Sequence, residues 1–359
     1  MSARWVVVLA LFVGTVASSS PRDGEERPPL PADNLPADLP AALPKGLEGT
    51  LPEVSEDEVR LGRRLFFDPL LSRDGSVSCA SCHDPERGFA DGERFSLGIG
   101  GQRTLRNSPS IVNRAFSGAQ MWDGRAETLA RQALLPIADA REMGSSVAEA
   151  VARLAASKEY APRFAAVYGG PPDEERLGRA IAAFVGRLTF GDSPVDRFRV
   201  DNDFAALTRE ERAGLWFYES RGRCWKCHSG PNFTDEEFHN TGVGVVDGRA
   251  EDGRMKITGL ATDRGRFKTP TLRGVALTAP YMHDGSLATL EEVVRFYQQG
   301  GVANPDLSDE IESFEMSDED AANLVAFLKA LSRRAGPSSA AASSEPRAPG
   351  EGAGHKRGR

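Results

Sequence analysis

The chain has 359 residues, a formal net charge of −8, 40% hydrophobic and 27% charged residues. This balance is that of a soluble globular protein and excludes a polytopic membrane protein, a coiled-coil rod and a wholly disordered chain. The acidic balance argues against a nucleic-acid partner, and at roughly 150 residues per domain the length allows about two domains.

The predicted elements run as follows. Arg4, the apolar run 5–16 and the small residues Ala17-Ser18-Ser19-Ser20 read as a signal peptide over 1–20. The run falls short of the ~20 apolar residues a membrane span needs. Cleavage would leave the protein in the periplasm with no stable membrane insertion; an uncleaved anchor is the alternative. Residues 21–50 carry repeated prolines, which fix φ and remove donors, and read as an extended linker. Residues 335–359 are rich in Ser, Ala, Gly and Pro and read as a disordered tail, with His355 inert in it.

Between them, the fold class is mainly α, with two domains at 51–200 and 201–334. Ser55 with Glu58 forms a capping box ahead of Leu61, Leu65 and Phe66. Residues 175–190 place Leu177, Ile181, Phe184, Val185 and Leu188 at helical spacing. Thr208 with Glu211, Thr289 and Ser317 open three more helices. Long glycine-bearing loops cover 84–118 and 229–287.

All four cysteines fall in two copies of one pattern, Cys79-Ala-Ser-Cys82-His83 and Cys224-Trp-Lys-Cys227-His228. C-x-x-C-H is the attachment sequence for c-type haem: both sulfurs reach the porphyrin edge and the histidine turns beneath the iron as proximal ligand. Disulfides, thioredoxin-like redox pairs and a zinc site built from two C-x-x-C pairs compete. Each leaves two following histidines unexplained. The motifs stand 145 residues apart, so each haem can have its own domain. Similar helix–motif–helix spacing suggests a duplicated unit, although repetition is weak elsewhere.

Two haems alone imply electron transfer. Peroxide chemistry also needs an open iron position, a group that moves a proton and groups that polarise the O–O bond. Trp122, Gln132, Pro136 and Glu142 follow the first motif as candidates. Taken alone, the tryptophan reads as core and the two polar residues as surface.

At this point the chain resembles the bacterial di-haem cytochrome c peroxidases, including the MauG branch. The likeness rests on Leu65-Phe66-Phe67-Asp68, both haem motifs, Arg106-Asn107-Ser108-Pro109, Met121-Trp122-Asp123-Gly124-Arg125, and the run from Leu277 through Pro280-Tyr281-Met282-His283-Asp284-Gly285. It implies two cytochrome c-like haem domains with long loops and an inter-domain calcium ion. By the resemblance, Cys79 and Cys82 hold the peroxide-reactive haem over His83, and Cys224 and Cys227 hold the electron-transfer haem over His228. Trp122 lies between the haems, Glu142 and Gln132 form the distal polar pair, and Pro136 is a pocket proline. The Asn107 side chain and the carbonyls of Thr278 and Pro280 bind calcium, for which oxygen ligands suit a hard cation.

The sequence departs from the family's common pattern in two places. Where other members carry an iron-capping histidine, Ser96-Leu97-Gly98-Ile99-Gly100 has Ile99, which cannot ligate; the first iron is then expected open as isolated. Fourteen residues after His283, Tyr297 replaces a methionine ligand. Both changes are MauG-like. Phenolate is a hard donor that favours oxidised iron. A core tyrosine is the alternative, with Met255, Met282 and Met316 as fallback ligands. The surface tryptophan of MauG corresponds to Gly222; Trp225 lies inside the motif. His239 reads as structural and His283 as packed near a haem edge.

The expected function is a periplasmic peroxidase that reduces hydrogen peroxide with electrons from a small redox protein, a cytochrome c or cupredoxin. Glu142 moves the proton, Gln132 holds the peroxide and Trp122 links the haems. Peroxide-dependent oxidation of a residue in a partner protein and a non-catalytic electron carrier or sensor are the alternatives.

Overall fold

The computed structural model describes residues 46, 47, 51 and 53–333; the expected leader, most of the linker and the tail lie outside the described residues. The helices are α1 (Glu56–Phe67), α2 (Leu129–Ala138), α3 (Val147–Ala156), α4 (Tyr160–Tyr168), α5 (Glu174–Gly186), α6 (Pro194–Arg199), α7 (Arg209–Glu219), α8 (Met255–Thr258), α9 (Leu290–Gln298) and α10 (Asp318–Ala330). Strands β1 (Phe238–His239) and β2 (Phe267–Lys268) pair antiparallel, Phe238 opposite Lys268. No helix among the described residues is long and apolar enough to cross a membrane.

The helix starts follow their caps. Ser55 Oγ accepts from the Glu58 amide at 3.1 Å and Glu58 Oε2 accepts from the Ser55 amide at 3.2 Å, which satisfies two orphan donors at once. Thr208 with Glu211, Thr289 with Glu292 and Ser317 with Asp320 repeat the device at α7, α9 and α10. The predicted helix 175–190 stops at Gly186, where the Arg187 amide turns back to the Phe184 carbonyl; Leu188 and Phe190 stay buried beyond its end. The sequence reading passed over α2, α3 and α4. Pro136 interrupts the periodicity of the first, and the other two are short.

Two apolar cores form, one drawing on residues from Leu61 to Phe190 and the other from Val195 to Leu331. Each is built on one helix crossing. In the first, α1 lays Leu61, Leu65 and Phe66 against Leu177, Ile181 and Phe184 of α5. The crossing is so close that a Cβ on Gly62 would lie 1.7 Å from the Ala180 carbonyl oxygen. In the second, α7 meets α10 in the same way, and a Cβ on Gly214 would lie 1.9 Å from the Asn323 carbonyl oxygen. Only glycine allows this approach. Each large apolar side chain fully buried there contributes roughly 1.5–3 kcal/mol.

The duplication extends beyond the crossings. Met121-Trp122-Asp123-Gly124 and Met282-His283-Asp284-Gly285 form matching turns, with φ of +71° and +73° at the methionines and +72° and +61° at the glycines. Each turn is clasped by an isolated bridge, Gln120 with Ala126 and Tyr281 with Leu287. Each leads into a threonine-capped helix, α2 or α9. Pro136 therefore stands fourteen residues after Trp122 as Tyr297 does after His283. The sequence shows this repetition only weakly because the side chains at matching places have diverged.

Two buried polar locks hold the fold, the first within the second core and the second between the halves. Arg273, 1% exposed, bonds both carboxylate oxygens of Asp196 on α6 at 2.7 and 2.8 Å and the Pro231 carbonyl at 2.6 Å. Asn113 donates to Asn232 Oδ1 at 2.9 Å and to the Phe190 carbonyl at 3.0 Å. Breaking a buried pair by removing one partner leaves an uncompensated charge. Arg273→Met is expected to lower stability by about 3–5 kcal/mol, measured as a fall in the denaturant midpoint. Arg60→Met, at a pair exposed on both sides, is expected to leave it unchanged.

Candidate functional site

Both C-x-x-C-H segments close as a single short turn. The His83 amide donates to the Cys79 carbonyl at 3.0 Å and the His228 amide to the Cys224 carbonyl at 2.9 Å. This brings each histidine under its two cysteines. His83 Nδ1 lies 2.9 Å from the Phe89 carbonyl and His228 Nδ1 lies 3.2 Å from the Phe233 carbonyl. A carbonyl oxygen can only accept, so Nδ1 carries the proton and Nε2 keeps its lone pair. Burial holds both imidazoles below the ordinary histidine range, which favours the neutral ligand form. Phe89 and Phe233 reach their places through the left-handed region, at φ +60° and +51°.

The competing readings of the cysteines meet physical objections. No disulfide joins any of the four. Burial pushes Cys79 and Cys224 up to about 12 and Cys82 up to about 11, the reverse of an activated redox thiol. The four sulfurs do not gather into one zinc site: among the described residues the converging set is Cys227, Asp235 and His239. His239 is committed to Asp235, Nε2 to Oδ2 at 2.8 Å, and that carboxylate raises it to about 10. Two thiols with a neutral imidazole beneath them, twice over, are a donor set that fits covalent haem. The buried Arg266 Nε, without a hydrogen-bond partner in the protein, is a cation of the kind haem carboxylates satisfy.

A cavity of about 250 Å³ opens beside the first motif, lined by Met121, Arg125, Leu135, Ala138, Asp139 and Glu142. Pro136, inside α2, has no amide hydrogen, and its carbonyl accepts from the Met143 amide at 3.2 Å. That bond folds the 139–144 turn back against α2. Burial and Asp139 push Glu142 up to about 7, with Arg125 opposing. A carboxyl poised there is suited to accept and return a proton near neutral pH. Gln132 points its amide at Met121 Sδ, 3.7 Å away. Such a weak partner leaves the donor available. Ile99 is 1% exposed and its amide donates to the Glu142 carbonyl at 2.8 Å. The 96–100 loop thus seats the Glu142 turn.

Trp122 is held from both sides. Its indole Nε1 donates to the Asn107 carbonyl at 2.9 Å and its carbonyl accepts from the Lys268 amide at 2.8 Å. Asn107, 6% exposed, donates its side-chain amide to the Glu93 carbonyl at 2.9 Å, which leaves Oδ1 as the ligand-capable atom. Its backbone amide bonds the His283 carbonyl at 2.9 Å, so Asn107 abuts the segment that carries Thr278 and Pro280. Tyr297 on α9 is half-buried; burial and the nearby thiols of Cys227 and Cys224 raise its phenol. Gly222 sits against the Phe217 ring, where a Cβ would be 2.9 Å away, so no tryptophan fits that position. Trp225 is 48% exposed.

The sequence reading used Met121 and Arg125 only as landmarks. Both line the cavity, and their adjacency to Trp122 was the available signal. Glu251 was missed altogether, because its partner His283 lies 32 residues away.

Residues 56–204 match the sequence profile of the di-haem cytochrome c peroxidases. The chain is 39% identical over 282 residues to the methylamine utilization protein MauG of Methylorubrum extorquens, covering 77% of this chain and 79% of that protein. It is 37% identical over 290 residues to the cytochrome c551 peroxidase of Nitrosomonas europaea, covering 79% and 82%. The crystal structure of a MauG-like protein associated with microbial copper homeostasis superposes with a TM-score of 0.72 at 36% identity, covering 83% of this chain and 94% of that one.

The raised Glu142 value has a stability consequence. The folded state holds this proton more tightly than the unfolded state, so its contribution is full below pH ~4.5 and is lost as pH rises through about 7. Glu142→Gln is expected to match the parent at pH 4 and to exceed it by on the order of 2 kcal/mol at pH 8, measured by denaturant titration at the two pH values.

Proposed function

The chain belongs to the di-haem cytochrome c peroxidase family, and we propose that it reduces hydrogen peroxide to water in the periplasm with electrons from a small redox protein, a cytochrome c or cupredoxin. The observation that carries this reading is Glu142, a half-buried carboxyl raised to about 7 on the wall of the cavity beside the first C-x-x-C-H segment. A plain electron carrier has no need of such a group. Cys79 and Cys82 would hold the first haem with His83 as its ligand; Cys224 and Cys227 would hold the second, with His228 and Tyr297 as ligands. Asn107 Oδ1 and the carbonyls of Thr278 and Pro280 would bind a calcium ion, an all-oxygen set suited to it.

When bound, haem supplies iron that accepts a peroxide oxygen and stores oxidising equivalents. The protein does the rest. Glu142 takes the proton from one peroxide oxygen and delivers it to the other, so that the leaving group departs as water. Gln132 turns its amide from Met121 to hold the peroxide. Arg125, on the same wall, favours the ionised carboxylate of Glu142. Ile99 brings no ligand to the first iron, so no reduction is needed to clear it. Trp122, fixed through Asn107 and Lys268, carries electrons between the halves.

A second reading is favoured by Tyr297 and the exposed Trp225: peroxide-dependent oxidation of a residue in a partner protein. An anionic ligand makes the second haem a poorer acceptor from a high-potential donor. A ring 48% exposed between the two attaching cysteines offers a route outward. Fast peroxide-dependent oxidation of reduced cytochrome c supports the first reading; a mass change in a co-encoded partner, with no such oxidation, supports the second.

The ferric protein as purified is expected to give mixed high-spin and low-spin signals by electron paramagnetic resonance; two low-spin signals and no response to peroxide would overturn the reading. Glu142→Gln is expected to lower the peroxide-dependent rate by roughly 10²- to 10⁴-fold. In the parent, kcat/KM for peroxide should rise with pH and level off above about 7, because only the ionised carboxylate accepts the proton. The variant should lose that rise.

A further inference from the structure

The two matching turns meet at their variable residue. Trp122 and His283 occupy equivalent places, and their rings face edge to face, centroids 6.4 Å apart at 66°. His283 is 5% exposed. One face of its ring stacks on Phe267 at 3.6 Å and 16°. Its Nε2 lies 2.6 Å from Oε1 of Glu251, and the other oxygen of that carboxylate is paired with Arg106. Arg106 also lies over the Phe267 ring, 4.9 Å from its centroid. The His283 carbonyl receives the Asn107 amide, and the Asn107 carbonyl receives the Trp122 indole.

A continuous set of contacts thus runs from Glu251 to Trp122 by two routes, through the imidazole ring and through the Asn107 backbone. Nothing in haem attachment or peroxide cleavage requires Glu251, which sits in the loop before α8. Packing between two aromatic rings fixes the plane of the imidazole, and a partner at Nε2 fixes which way its nitrogens point within that plane. Gly244 makes room for that partner: a Cβ there would lie 2.9 Å from Glu251 Oε1.

We propose that Glu251 is a positioning residue for electron transfer through Trp122. Its carboxylate, clamped by Arg106, fixes the His283 ring between Phe267 and the edge of Trp122, and so fixes the indole. This rests on the reading of Trp122 as the link between the haems. Long-range transfer through a side chain depends steeply on its placement, and a displacement of about 1 Å can cost on the order of 10²-fold.

The test is stopped-flow absorbance of the ferric holoprotein mixed with hydrogen peroxide in the absence of a donor, following each haem separately. Glu251→Ala is expected to leave the first haem's phase within about twofold and to slow the second haem's phase by roughly tenfold. Glu251→Gln, which keeps a hydrogen-bonding group at Nε2, is expected to restore the second phase to within about threefold. An unchanged second phase in Glu251→Ala, equal slowing of both phases, or failure of the glutamine to rescue would each overturn the proposal. If Glu251→Ala does not load haem, Arg106→Met serves instead and should slow only the second phase. Trp122→Phe separates the two claims: if it leaves the second phase at the parent rate, the reading of Trp122 fails; if it slows that phase while the Glu251 variants do not, only the role of Glu251 fails.

Discussion

One hydrogen bond, made twice, is the constraint on which the site depends. A histidine can ligate iron only if one nitrogen keeps its lone pair and the ring cannot flip. Here the backbone carbonyls of Phe89 and Phe233 accept the Nδ1–H hydrogen bond. Each phenylalanine adopts a left-handed conformation to bring its carbonyl there. That strain is held by the surrounding core, since Phe89 and Phe233 are 0% and 2% exposed. The apolar packing and the ligand geometry are therefore one arrangement.

The two halves then diverge at matching positions, and the divergence creates the chemistry. On α9 the residue fourteen after the turn is Tyr297, a potential ligand; on α2 it is Pro136, which has none. Proline also frees the end of α2 so that the 139–144 turn folds back and brings Glu142 to the cavity. At the turns themselves, Trp122 and His283 meet ring to ring. On the proposed reading, the duplicated scaffold holds one half for the oxidant and the other for electrons. The Asn113–Asn232 bond keeps the halves in register, and the buried Arg273–Asp196 pair holds the second core.

Ile99 gives its loop a packing task. Gly98 packs against the Arg141 carbonyl, where a Cβ would be 1.8 Å away, and Ile99 is buried beside it. An apolar side chain at this position gains from burial and anchors the Glu142 turn, where an imidazole would need a partner.

By itself the sequence determined the haem-attachment motifs, the starts of α1, α7, α9 and α10, and the mainly helical class. These depend on local spacing: cysteines and histidine within one turn, and Ser or Thr three residues ahead of an acid. The resemblance supplied the candidates Trp122, Gln132, Glu142 and Tyr297, but not their physical state. Tertiary structure decided that Glu142 is raised, because burial comes from α2 and the 139–144 turn closing together. It decided that Gly222 cannot be larger, because Phe217 fills the space. It also joined Arg106, Glu251 and His283, whose contacts span up to 145 residues. No local pattern encodes such pairings; they exist only once Gly62 and Gly214 have let the helices of each core cross, and contacts such as Asn113 to Asn232 have joined the two cores.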